Sequence, residues 1–137
     1  DGNPDHFGSG LSLETNGKFK EELLLDEGQF NCVREVAWTT FGGVYIRRSV
    51  FNKVGNFSAG YEWTYNRDVD YCLRAREAEF KIYQVPVKLL HYESRDNKQI
   101  KSQDPNKVKA EMRNLETLKS KWANSKFYKT LDEVVND

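Results

Sequence analysis

From Val33 to Tyr92 the hydrophobic pattern switches between the period of a strand and the period of a helix, with glycine, proline or a capping residue at most of the switches. Alternation of this kind predicts an α/β chain. Val33 to Trp38 alternates apolar and charged residues, as a half-buried strand does. Gly42-Gly43 leads into Val44-Tyr45-Ile46, a short apolar run suited to a buried strand. Ser49 is the expected cap of a short helix that carries Val50, Phe51 and Val54 and stops at Gly55. Asn66 is the expected cap of a second helix running to about Ala78, whose inner face is marked by Val69, Cys72, Leu73 and Arg76. Lys81 to Val85 returns to strand character, Pro86 breaks it, and Val87 to His91 is a further apolar run.

The flanks are simpler. Asp1 to Gly10 is loop chemistry, Leu11 and Leu13 suggest a short strand, and Asn16-Gly17 is a hairpin turn signal. Lys18 to Gln29 reads as an irregular connection and Ser94 to Asn106 as a surface loop. Pro105 suits a helix start. Val108, Met112, Leu115, Leu118 and Trp122 follow at steps of three and four, which predicts that this stripe faces the core. Asn124-Ser125 interrupts the stripe, and Phe127 to Val135 suits a final short helix. Trp38 and Trp122 are expected in the core.

A chain of 137 residues is one domain by size and long enough to bury a core. Its 21 basic and 21 acidic residues cancel, which removes the global basic field that a nucleic acid would require. The charge is uneven: residues 1–35 carry three basic and eight acidic side chains, net −5, and residues 95–137 carry ten basic and seven acidic, net +3. Ordinary solvated surface explains this, and so does a basic tail that touches anionic lipid or another subunit. Cys32 and Cys72 lack metal-ligand spacing and read as buried free thiols of a reducing compartment. No stretch has the length and apolarity of a transmembrane helix, and no signal peptide is visible. The opening Asp-Gly-Asn-Pro, without Met, suggests a fragment, a processed product or one domain of a longer chain.

Three blocks carry a family resemblance. Phe41-Gly42-Gly43-Val44-Tyr45-Ile46-Arg47-Arg48, closing on Val54-Gly55-Asn56-Phe57, resembles the turn, hydrophobic strand, Arg-Arg pair and "V-G-G-F" helix end of family 2 glycosyltransferases. Arg67-Asp68-Val69-Asp70-Tyr71-Cys72-Leu73-Arg74-Ala75 is similar to the family's "E-D-V-D-L-C-L-R-A". Lys81 to Pro86 followed by His91-Tyr92 is similar to its "Y-x-V-P … H" ending. The blocks stand in the family's order from about Thr39 to Arg95. Three positions depart: Arg67 stands where the family has an acid, Asn56 where it has the second Gly, and Glu79 where a Gly is common. The donor-binding half with its Asp-x-Asp metal motif, expected upstream, is not in these residues. The resemblance implies a partial GT-A fold, Rossmann-like with a mixed sheet. Residues 1–104 would form the acceptor-side half and residues 105–137 a helical tail packed on it.

The implied chemistry is inverting transfer from a nucleotide-diphosphate sugar to a glycan or lipid-linked hydroxyl acceptor. The hydroxyl needs a general base. Asp68 matches the family's catalytic Asp, and the first turn of a helix favours its anion. Asp70 lies about 200° around the helix, so it is expected to cap or to pair with Arg74 instead. Asp68-Val69-Asp70 reads formally as Asp-x-Asp, but metal-binding copies in this fold follow a strand. His91 matches a position that supplies a ligand to Mn²⁺ or Mg²⁺ when the donor half is present. Trp63, with Tyr61 and Tyr65, is a candidate platform for an acceptor sugar, and Gly42 and Gly43 permit close backbone approach. Arg47-Arg48 reads as a strand-end surface pair before a diphosphate contact, and His6 as surface. The alternative is a non-catalytic carbohydrate-binding or subunit-docking module. A half-fold would expose a sheet edge and an apolar face, which favours self-association. The expected location is the cytoplasm or the cytoplasmic membrane face, with peripheral contact.

Overall fold

A computed structural model describes residues 31–63, 66–87 and 105–128. Among these residues the chain is mixed α/β, with three helices and one two-stranded antiparallel sheet. The order is β1 (Arg34–Val36), α1 (Arg48–Val54), α2 (Arg67–Glu77), β2 (Ile82–Gln84) and α3 (Pro105–Trp122).

The strands expected within Val33 to Trp38 and within Lys81 to Val85 both form, each shorter than expected. Arg34 pairs with Gln84, Glu35 with Tyr83 and Val36 with Ile82. Side-chain pairs reinforce the ladder: Arg34 Nε donates to Gln84 Oε1 at 2.7 Å, and Lys81 Nζ lies 3.1 Å from Glu35 Oε2. Such partly exposed cross-strand pairs fix register more than they add stability. Val36, Ala37 and Trp38 then carry the chain into the core.

Among the described residues the core is a cluster that includes Ala37, Trp38, Tyr61, Val69, Cys72, Leu73, Leu118, Trp122 and Tyr128. Both tryptophans expected inside are inside. α2 supplies six buried residues, Val69, Asp70, Tyr71, Cys72, Leu73 and Ala75. Burying a side chain the size of Leu73 contributes roughly 1.5–3 kcal/mol. Arg76, expected on the inner face, is half-buried with its guanidinium 4.8 Å from the Phe127 ring centroid. The helix begins at Asn66 as expected, though Asn66 caps with a left-handed backbone (φ 64°) and no side-chain bond. It ends in a Schellman turn: Phe80 N–H bonds to Ala75 C=O, Glu79 N–H to Arg76 C=O, and Glu79 sits at φ 67°.

α1 is different. It buries none of its seven residues. Its cap is Arg47, not Ser49, and it does stop at Gly55, where φ is 80°. Val44-Tyr45-Ile46 forms no strand, which corrects the expectation of a buried one. Nothing among the described residues hydrogen-bonds beside it, and Tyr45 is 88% exposed.

α3 corrects a second expectation. Val108, Met112 and Leu115 are exposed, Met112 by 62%, and the buried face runs through Lys107, Ala110, Asn114, Leu118 and Trp122. The helix is rotated so that two polar groups turn inward, because the neighbouring segment offers them partners. Leu118 and Trp122 join the core built by α2, so residues 105–122 pack on the preceding segment through shared apolar contacts.

Cys72 is buried and Cys32 is exposed; both are free thiols, so the expectation of two buried ones holds for Cys72 alone. Desolvation pushes the Cys72 thiol up to about 12, which makes it a packing residue rather than a nucleophile. No described helix is long and apolar enough to cross a membrane. The expected strand at Leu11–Leu13, the turn at Asn16-Gly17, the run ending at His91, most of the loop from Ser94 and the end of the final helix lie outside the described residues.

Candidate functional site

The two carboxylates of α2 have opposite fates. Asp70 is fully buried and accepts five side-chain hydrogen bonds. Ser58 Oγ donates to Oδ2 at 2.6 Å, Tyr61 Oη to Oδ1 at 3.1 Å and Arg74 Nε to Oδ2 at 3.0 Å. Lys121 Nζ donates to Oδ1 at 2.6 Å and Trp122 Nε1 to the same oxygen at 3.0 Å. The pairing with Arg74 is the one expected from i,i+4 spacing. Burial by itself would raise the pKa of Asp70. The bonds from Lys121, Ser58 and Trp122 outweigh it and hold the carboxyl below its ordinary value. Asp70 is therefore a charged knot tying the 58–61 loop, α2 and α3 together.

Asp68, by contrast, is half-buried in the first turn, where its Oδ1 accepts the Val69 N–H at 2.9 Å. On a regular helix positions 68 and 70 stand about 200° apart. Arg67, just before it, closes the preceding loop: its Nη2 donates to Tyr61 C=O at 2.7 Å. The buried Arg67 Nε has no hydrogen-bond partner.

That loop is clamped by α3. Asn114 bonds both backbone groups of Glu62, accepting its N–H at 2.8 Å and donating to its C=O at 2.7 Å, as a neighbouring strand would. Arg113 grips the Glu62 carboxylate with two parallel bonds of 2.6 and 2.8 Å, which lowers the pKa of that carboxyl. The next residue, Trp63, is held at φ 53°, a left-handed conformation that costs a bulky residue about 1–2 kcal/mol. Trp63 is 51% exposed, and Lys107 Nζ lies 5.2 Å from its ring centroid.

The candidate aromatic platform is thus divided. Trp63 presents a face to solvent. Tyr61 does not: it is 3% exposed, part of the core, with its hydroxyl on Asp70, and burial raises its pKa. Its ring has no face left for a sugar, which corrects its place in the platform. Gly42 and Gly43 lie in an exposed turn between Phe41 and Val44. Tyr65, His91 and His6 lie outside the described residues. Sequence reasoning did not single out Ser58, Asn114 or Lys121. The signal was Asp70 itself, since a carboxylate between Val69, Cys72 and Leu73 on an inner face requires buried donors.

The described residues do not fit a divalent cation. No group of three His, Cys, Asp or Glu side chains converges among them. Asp70, the second carboxylate of the formal Asp-x-Asp, is filled by protein donors, two of them cationic. Comparison of the chain with protein-family models, with curated proteins and with solved structures gave no match.

Proposed function

We propose that the chain is the acceptor side of an inverting, nucleotide-sugar-dependent glycosyltransferase of the family 2, GT-A type, with Asp68 as the general base. The observation that carries this reading is the division between the two carboxylates: Asp70 is consumed by the core, and Asp68 lies half-buried at the helix start, beside the loop that presents Trp63. In the reaction the acceptor hydroxyl gives its proton to the Asp68 carboxylate, its oxygen bonds to the anomeric carbon, and the bond from that carbon to the nucleotide diphosphate breaks with its electron pair. The Trp63 ring stacks on the acceptor sugar, and the Gly42-Gly43 turn lets the acceptor approach the backbone. Donor binding, and any Mn²⁺ or Mg²⁺ held with His91, belong in this proposal to a segment outside these residues.

The test is Asp68→Asn in the complete enzyme. A loss of roughly 10²–10⁴-fold in kcat is expected, with thermal unfolding almost unchanged; full transfer activity in that variant sinks the proposal. A second reading, a non-catalytic carbohydrate-binding or docking module, is favoured by Arg67 at a position where the family has an acid. Under it Trp63→Ala abolishes glycan binding in calorimetry, while Asp68→Asn changes nothing and UDP with Mn²⁺ does not bind.

A further inference from the structure

From Val36 to Tyr61 the chain contains no Asp or Glu and three cations, Arg47, Arg48 and Lys53, in a protein whose total charge is zero. Its ends, Val36 to Trp38 and Tyr61, are buried in the core, but its middle is exposed. Tyr45, Ile46, Arg48 and Phe51 line one open depression of about 370 Å³. Tyr45 stands almost fully in solvent, Val44 and Phe51 are exposed, and the Arg48 guanidinium lies 6.0 Å from the Phe51 centroid. Arg48 and Phe51 are three residues apart on α1 and share its outer face. The half-buried Val50 and Val54 lie on the other side, where Arg74 ties the helix end to α2.

Exposed aromatic and aliphatic side chains interleaved with Arg and Lys, along residues 44–47 and the short helix α1 that buries none of its residues, match the chemistry of the bilayer interface. There aromatic rings settle at the headgroup level and cations reach the phosphates. Charge alone would also suit an acidic protein surface. The exposed Tyr45, Val44 and Phe51 interleave with the cations, the mixture of aromatic, aliphatic and basic side chains that an anionic headgroup layer accommodates.

We infer that the Val44–Lys53 face docks the protein on an anionic lipid surface, with Tyr45 and Phe51 entering the headgroup layer and Arg47, Arg48 and Lys53 contacting lipid phosphates. This inference is independent of the transferase reading and uses none of its residues.

The experiment is co-sedimentation of the intact chain with phosphatidylcholine vesicles, with and without one-third phosphatidylserine. Binding is expected only to the anionic vesicles and should weaken with salt. Each of two double variants, Arg47→Glu with Arg48→Glu, and Tyr45→Ser with Phe51→Ser, should lower partitioning at least about tenfold, since each basic residue near an anionic surface contributes severalfold. All four residues are largely exposed or half-exposed, so unchanged thermal unfolding of both variants is the control for folding. Failure of the wild-type chain to bind the anionic vesicles overturns the inference. So does binding that survives the Tyr45–Phe51 pair unchanged, which would show that these side chains do not enter the headgroup layer.

Discussion

Two consecutive helices, α1 and α2, both start on arginine and end beside a residue of positive φ, yet one buries nothing and the other organises the core. α2 is held from every side: apolar residues on its inner face, and one carboxylate bonded by groups from the 58–61 loop, from its own next turn and from α3. α1 is held mainly at its C-terminal end, where Arg74 donates to Val54 C=O at 2.8 Å and to Asn56 C=O at 2.9 Å. Arg74 also bonds Asp70, so α1 hangs from the same knot that closes the core. The difference teaches that one buried charge, fully satisfied, serves two elements: a core helix that needs it and a surface helix that borrows its partner.

The comparison breaks most completely at Asp70. Asp70→Ala leaves Lys121 and Arg74 without their anion and three neutral donors without an acceptor, so a loss of about 3–5 kcal/mol is expected in urea unfolding. A loss below 1 kcal/mol would show that the knot is not what joins the loop to α2 and α3. The same residue sets an acid limit. Its folded pKa lies below its unfolded one, so its stabilisation is fully present above the unfolded value near 4 and is lost as pH falls below it toward the folded value. Unfolding midpoints measured from pH 6 down to pH 2.5 should fall in that window, and Asp70→Asn should flatten the fall.

Arg74→Met separates the two helices. It keeps the aliphatic stem and removes the bonds to α1 and to Asp70, for an expected global cost of about 1–3 kcal/mol. Hydrogen exchange should quicken in residues 48–54 well beyond any change in α2; equal loss of protection in both helices would contradict the hanging arrangement.

The smallest effects lie at the two helix ends. Gly55 and Glu79 both sit at positive φ, and the space a Cβ would occupy at Gly55 is empty, so only backbone strain is at issue there. Gly55→Ala should cost about 1 kcal/mol and Glu79→Gly should gain about as much, read as opposite shifts in thermal unfolding. Tyr71→Phe is the finest probe of α2. The Tyr71 hydroxyl is buried without a hydrogen-bond partner, so removing it should be neutral or stabilising by less than about 1 kcal/mol.

Local signals settled a great deal. The helical recurrence of Val69, Cys72 and Leu73 placed α2 and its inner face, the glycine at 55 ended α1, alternation located β1, and the strand character of residues 81–85 located β2. The separation of Asp68 from Asp70 also followed from helical angle alone. These features depend on residues within a few positions of one another, where propensity and periodicity act directly. The sequence's own pattern failed where the outcome rested on distant partners. The apolar stripe at Val108, Met112 and Leu115 faces outward because Asn114 finds the Glu62 backbone and Trp122 finds Asp70 across the fold. Tyr61 left the aromatic platform because a buried carboxylate drew its hydroxyl inward. Val44-Tyr45-Ile46 found no strand to pair with among the described residues. Sequence by itself located the three helices and the two strands that form among the described residues. Which faces are buried was decided only in three dimensions, because a buried polar atom must be satisfied by whatever donor the tertiary structure brings within about 3 Å, and that requirement outranks the hydrophobic count of a single helix.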